Sequence, residues 1–425
     1  MRFFFPDSQD QVDPSFDFQS EQRSVHRVRQ RDDLYAHEAL GKAPYNGILV
    51  SKAMVDGTPN AAGRYSQAQR HRFYRVGVQR FFRLDEAKGP RLETMGDCGA
   101  FTYVREDVPP YSVDELIDFY DGCGFDLGLS LDHVILGYLG SDADTRTSEP
   151  PPSDWVERRE LTIQLASEFR RRHKARQCKF EPVGVAQGWS PKSYARSVRD
   201  LQKIGYRRIA LGGMVPLKTQ EILESLQAVS DVCRPETELH LLGITRCEHV
   251  SAFAEFGVTS FDSTSPFRQA FKDERDNYYT PTSTFTAVRV PQVDGNPSMK
   301  RLIQAGQINQ KEAFAAEQAC LKLLDAYDSG AERLDSVLEA LSAYERLHDP
   351  QRDRTEIYRH TLAAMPWKNC KCRVCKTAGV HVIIFRGAER NKRRGFHNVY
   401  VYRQRLDREL RRAGLLISTR VSAAS

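Results

Sequence analysis

The 425-residue chain is defined first by what it lacks. No apolar run approaches the roughly 20 residues that a membrane-spanning helix requires. The opening Met1-Arg-Phe-Phe-Phe-Pro-Asp7 meets proline and acid after three phenylalanines, too few for the core of a secretion signal. No G-x-G-x-x-G or G-x-x-x-x-G-K pattern follows the early strand-like runs, which argues against a nucleotide cofactor cradled by a glycine loop. The nine cysteines are odd in number and six of them are scattered singly. That is no disulfide framework, and it fits a reducing compartment; the expected location is the cytoplasm.

What is present is an ordinary globular composition, 40% hydrophobic and 28% charged, in a chain long enough for a large domain plus a smaller one. Short β-branched runs at 47–51, 99–103, 126–131, 182–186, 208–211, 239–244 and 258–261 read as strands. Helix-like stretches at 113–123, 155–174, 191–204, 218–232 and 247–256 lie between several of them. About eight strand–helix units over some 250 residues predict an α/β fold, a closed (β/α)8 barrel of the TIM type. An open doubly wound sheet is the competing layout. Residues 142–153, rich in Asp, Thr, Ser and Pro, read as a loop. Residues 310–348 read as two amphipathic helices broken at Ser329-Gly330, and the tail after Leu416 as frayed. The resulting domain reading is a barrel with an N-terminal extension over 1–265, a helical insertion over 266–365 and a basic, metal-binding subdomain over 366–425 that closes on the barrel.

Charge is concentrated in that last segment. Residues 367–412 hold 14 Lys+Arg against three acids, a net +11 in a chain whose total is +6. A stripe of this kind is the footprint expected for a phosphate backbone; its bland alternative is a solvated basic helix face. Within it, Arg386, Arg390, Lys392, Arg393 and Arg394 are the candidate nucleic-acid contacts. The same segment packs Cys370, Cys372 and Cys375 into six positions. A Cys370–Cys372 disulfide would be badly strained and three thiols cannot all pair, so a metal lacking its fourth ligand is the better reading.

Several strand-like runs end in polar or glycine residues: Asp97-Cys-Gly-Ala-Phe101, Asp132-His133, Gln187-Gly188, Gly212-Gly213 and Asp262-Ser263. In a barrel these would converge at the C-terminal mouth, where such enzymes carry their sites. Each alone reads equally well as a cap or a tight turn.

Together they resemble the tRNA-guanine transglycosylase superfamily. Asp97-Cys-Gly-Ala-Phe-Thr is similar to its Asp-Ser-Gly-Gly-Phe-Gln motif, Val185-Ala-Gln187-Gly to its Val-Gln-Gly, and Leu211-Gly-Gly to its Gly-Gly-Leu. Ser260-Phe-Asp262-Ser resembles the strand end that bears its nucleophile, and Cys370-x-Cys-x-x-Cys with His397-Asn-Val-Tyr-Val-Tyr402 its zinc motif. The likeness covers about residues 90–265 and 366–412, in the family's order.

The resemblance implies base exchange at an anomeric carbon. Asp262 would be the nucleophile and Asp97 the general acid and base. Asp132 would accept the donor edge of guanine, Gln187 and the Gly212-Gly213 backbone would serve its 6-oxo group, and Phe101 would stack on the ring. A structural Zn2+ would sit on Cys370, Cys372, Cys375 and His397, with His381 as the alternative fourth ligand and a redox cluster as the bland reading. The family's second glycine and its glutamine are here Ala100 and Thr102, which bears on the pocket around position 7 of the base. The opening Phe5 to Phe18 and Arg27-Val-Arg-Gln-Arg-Asp-Asp-Leu-Tyr35 is most similar to the DpdA branch, which inserts 7-cyano-7-deazaguanine into DNA. The implied partners are therefore DNA, a free 7-deazaguanine base and helper proteins that open the duplex, with no membrane. A tRNA enzyme of the same chemistry and a non-catalytic zinc-containing nucleic-acid-binding protein are the alternatives.

Overall fold

A computed structural model describes residues 1–141, 150–272 and 275–416. Eight parallel strands close a barrel: β1 (Arg2–Pro6), β2 (Gly47–Ser51), β3 (Glu93–Asp97), β4 (Leu127–Leu129), β5 (Glu181–Ala186), β6 (Arg208–Leu211), β7 (Glu238–Leu241) and β8 (Val258–Asp262). Each pairs with its chain neighbours, and β1 pairs with β8 to shut the ring. Strands covered on both faces need no polar alternation, which is why Gly47–Ser51 reads as a continuous apolar run. The interior is filled by Phe4, Leu49, Met95, Leu127, Leu129, Val183, Val185 and Ala210, all buried. The open sheet is thereby excluded.

The covering helices start and stop where their sequences say. In α1 (Val113–Cys123) the Ser112 hydroxyl accepts from the Glu115 N–H while the Glu115 carboxylate accepts from the Ser112 N–H at 2.7 Å, and Gly124 ends it in the left-handed region. Ser190, with proline next, starts α2 (Pro191–Ile204) in the same manner.

Two strands depart from expectation. Arg2–Pro6, discounted as a mere apolar opening, is β1, its three phenylalanines buried on both faces. Residues 99–103 are not a strand: Gly99 lies at φ +88, so the chain turns, and Ala100–Tyr103 forms one 3-10 turn. The strand lies just before, at Glu93–Asp97, and Asp97 is its last residue. Of the expected loop, 142–149 lie outside the described residues, as does the tail from 417; Ser153 already opens the helix Ser153–Ala175.

The chain divides into two compact units. One is the barrel, with Met1–Gln9, Tyr45–Thr264 and the chain from Leu406. The other joins Asp10–Pro44 to Ser265–Arg405. Its helices Gln310–Ser329 and Leu334–His348 are the expected pair. In this division Asp10–Pro44, the helical insertion and the cysteine segment fall in one unit, while the chain from Leu406 falls with the barrel.

Candidate active site and metal centre

Asp97, Asp132, Gln187, Gly212-Gly213 and Asp262 lie at or just beyond the C-terminal ends of β3, β4, β5, β6 and β8. Asp132 and Asp262 are 3% and 6% exposed. Among the described residues no lysine or arginine pairs with either of them or with Asp97. Three carboxylates held this way cannot all stay ionised cheaply. Burial, then the negative charges of Asp132 and Asp262, push the Asp97 carboxyl up to about 7, against the N–H groups of Gly99 and Cys98 that favour its ionised form. Burial pushes Asp132 up to about 6, opposed by hydrogen bonds from Cys98 and Gln187.

Asp132 and Gln187 form one unit. Gln187 Nε2 donates to Asp132 Oδ2 at 2.7 Å, and Gln187 Oε1 accepts from the Ile135 N–H at 3.2 Å. A carboxylate takes only a donor and an amide N–H gives only a proton, so this network fixes the amide orientation. Gly212 and Gly213 are required by proximity: a Cβ on Gly212 would lie 2.2 Å from Gln187 Nε2, and one on Gly213 2.3 Å from the Ile135 carbonyl, at a φ of +72. Tyr194 donates its hydroxyl to the Gly212 carbonyl at 2.8 Å and pins the turn. Phe101 stands on the turn after Asp97, 53% exposed.

Asp262 has two partners that sequence reasoning missed. His240 on β7 places Nε2 3.1 Å from Asp262 Oδ1, and the Gly243 N–H donates to the same oxygen at 3.1 Å. A neutral imidazole that donates Nε2–H there accepts at Nδ1, where the Ser260 hydroxyl lies at 2.9 Å. Both bonds engage Oδ1, so the second oxygen is not the one that orients the group. A polar His240 and Ser260 at inward positions of adjacent apolar strands were the available signal.

In the second unit Cys370, Cys372, Cys375 and His397 bring their ligand atoms within 4.8 Å of one another. The Nδ1 of His397 lies 3.4, 3.6 and 3.2 Å from the three sulfurs. Its Nε2 lies 2.7 Å from the Tyr279 carbonyl, which makes Nε2 the protonated nitrogen and Nδ1 the lone-pair donor. Tyr278 stacks on the imidazole at 4.0 Å. Three thiolates and one oriented imidazole are a donor set that can hold a metal ion. His381, the alternative ligand, is elsewhere: its Nε2 lies 3.1 Å from Asp325 and its ring stacks on Phe18.

Four of the five expected phosphate contacts are buried. Arg386, Arg390, Arg393 and Arg394 are 4%, 1%, 7% and 0% exposed. Arg386 binds Glu21 at 2.7 and 2.8 Å and Glu317 at 2.7 Å. Arg390 binds Glu21 and the Phe18 carbonyl, and Arg393 binds Glu389 and the Asp13 carbonyl. Arg394 donates to the carbonyls of Ala270, Ile384 and Val382. The half-buried Lys392 reaches the Gln11 carbonyl at 3.0 Å. The four guanidiniums are buried, and most of their donors already point at protein acceptors, which leaves them poorly placed to reach a phosphate.

With this geometry in hand, the comparisons fall into place. A family profile described as "Queuine tRNA-ribosyltransferase" matches residues 138–413, and the chain belongs to that family: it is a guanine transglycosylase, a pentosyltransferase. Over 410 residues, 96% of each chain, it is 49% identical to a protein of Salmonella montevideo named "DNA-guanine transglycosylase". No helix among the described residues is long and apolar enough to cross a membrane.

Proposed function

We propose that the enzyme exchanges guanine in DNA for 7-cyano-7-deazaguanine, taken as the free base, through a covalent intermediate on Asp262. The observation that carries the chemistry is the unneutralised trio Asp97, Asp132 and Asp262 at the barrel mouth. DNA as substrate is carried over from the name of the 49% identical relative.

Asp262, oriented through Oδ1 by His240 and Gly243, attacks the anomeric carbon with its other oxygen. The C–N bond to guanine breaks as the C–O bond forms, and Asp97, protonated near neutral pH, gives its proton to the leaving nitrogen. The incoming base then returns a proton to the Asp97 carboxylate, its nitrogen attacks the same carbon, and Asp262 departs. Two displacements restore the configuration, and no redox or nucleotide cofactor enters. Asp132 reads the N–H donors of the base, Gln187 and the Gly213 N–H its oxo group, and Phe101 its face. The cysteine–histidine cluster holds Zn2+ as a structural ion, since four protein ligands leave no position for a reactive water.

A stacked guanine cannot reach Asp262, so the nucleotide must be flipped out or presented in an opened strand, at a cost of a few kcal/mol. Helper proteins that open the duplex are the partners this step calls for. Incubation with labelled 7-cyano-7-deazaguanine and either plasmid or tRNA tests the substrate: label is expected in the plasmid. Label in tRNA alone would move the enzyme to the substrate in the family profile's name, and label in neither would discard this base.

A further inference from the structure

Asp132 has, besides Gln187, a second side-chain partner that the reaction above does not use. Cys98, fully buried, places Sγ 3.1 Å from Asp132 Oδ1. Behind it the Tyr103 hydroxyl, 1% exposed as a residue, lies 3.0 Å from Cys98 Sγ and 3.1 Å from the Asp132 carbonyl. The contacts close a ring from the Asp132 carboxylate through Cys98 and Tyr103 to the backbone carbonyl of Asp132 itself. We propose that Cys98, backed by Tyr103, is a positioning residue that fixes Asp132 in its reading orientation and keeps it an acceptor.

The chemistry of these groups leaves little choice of role. Burial and the charges of Asp132 and Asp97 push the Cys98 thiol well above its ordinary range, so it stays S–H. It is a donor and not a nucleophile. Burial, then Cys98 and Asp132, push the Tyr103 phenol up as well, so it too keeps its proton. A carboxylate has two lone pairs on each oxygen. With the Cys98 thiol on Oδ1 and Gln187 Nε2 on Oδ2, each oxygen retains one, and the two retained acceptors match the ring N–H and exocyclic amine of guanine. Without the thiol, Oδ1 would be under-satisfied in a dry site, and the carboxyl would protonate or rotate. Either change costs base recognition while leaving Asp262 untouched.

The ionisable groups around Asp132 are Asp97, Cys98, Tyr103 and Tyr120, with Asp262 acting on Asp97. None is a cation, so hydrogen bonds are what hold the charge. Both hydrogen bonds favour the ionised form against burial. Deleting one therefore moves protonation to higher pH, and base recognition is lost from the acid side earlier.

The proposal rests on Asp132 as the base reader, and the test separates the two. The readout is exchange of labelled guanine into whichever polynucleotide accepts label in the experiment above. Cys98→Ala is expected to raise KM for guanine about tenfold with kcat within about threefold, and to move the acid limb of the 1/KM profile up by about one pH unit. Cys98→Ser, which restores a donor of the kind in the family's motif, is expected to recover both. Tyr103→Phe is expected to shift the limb in the same direction by less. Asp132→Asn raising KM while Cys98→Ala leaves KM and the limb unmoved would overturn the relay alone. Asp132→Asn leaving KM unmoved would overturn the base-reading role itself. Cys98→Ser as damaging as Cys98→Ala would reduce Cys98 to a packing residue.

Discussion

The barrel mouth and the arginine segment of the second unit both bury charge, and they do so in opposite ways. In the mouth, Asp97, Asp132 and Asp262 share space without a lysine or arginine partner, and Asp97 is pushed to about 7. In the arginine segment, three of the four guanidiniums meet a carboxylate and the fourth a set of carbonyls; Glu21, despite its burial, is pulled down to about 2 by the hydrogen bonds of Arg386 and Gln292. Charge left uncompensated is strain kept available for a reaction, whereas charge fully compensated is structure. The lesson is that a count of charges distinguishes neither: four arginines of the +11 stretch are buried in scaffold contacts, while less conspicuous acids gather at the barrel mouth.

The comparison can be pressed at its weakest points, beginning with the metal ion proposed for the Cys370, Cys372, Cys375 and His397 cluster. Stripping it with a strong chelator should remove on the order of 10 kcal/mol and unfold that unit. Circular dichroism should show the loss, and zinc analysis should give about one ion per chain, falling sharply in Cys372→Ser. An intact second unit without metal would refute the structural ion.

In the mouth, Asp262→Ala should cut base incorporation by roughly 10^4-fold or more with the thermal midpoint little changed. Incorporation at the original rate would remove Asp262 from the reaction.

Asp97→Asn sharpens the contrast, because loss of activity should come with a gain in stability. The folded carboxyl holds its proton up to about 7 and the unfolded one only to its ordinary value of 3.8. The native state therefore binds more protons across that window, and stability falls as pH rises through it. Relative to Asp97, the asparagine variant should be about 1–3 kcal/mol more stable at pH 8, show no such advantage at pH 4, and turn over about 10^2-fold or more slower. Denaturant titrations at the two pH values decide it; an equal or reversed difference would show that the carboxyl is not strained.

The smallest effect on function is expected in the arginine segment. Arg390→Ala should cost about 3 kcal/mol of stability, since it leaves Glu21 and the Phe18 carbonyl short of a donor. The slope of log affinity against log salt for nucleic acid should not move. A slope reduced by about one would return Arg390 to phosphate binding.

Legibility from sequence followed range along the chain. Helices such as Val113–Cys123 and Pro191–Ile204 carry their caps and amphipathic period locally, and their bounds were readable to the residue. The strand ends holding Asp97, Asp132, Gln187 and Asp262 were readable because each motif is short and the barrel alone brings them together. The burial of Arg386 and Arg393 was not legible because their partners Glu21 and Asp13 lie 365 and 380 residues away, beyond any window. His240 was passed over because a single histidine in a hydrophobic strand carries no pattern, and β1 because a proline and an acid closed it after a few residues.

One pairing has a consequence in time. Phe4 stands in register with Asp262 where the first strand seals against the last. Asp97, Asp132, Gln187 and Asp262 are thus already joined to the growing polypeptide before the ring that aligns them can shut. A ribosome must finish some 260 codons, and two distant segments must then find each other, before Asp262 is held in place. Until that moment the nascent chain carries the reactive side chains but not the enzyme, and a proteolytic nick that frees the first few residues should silence it without touching a single carboxylate.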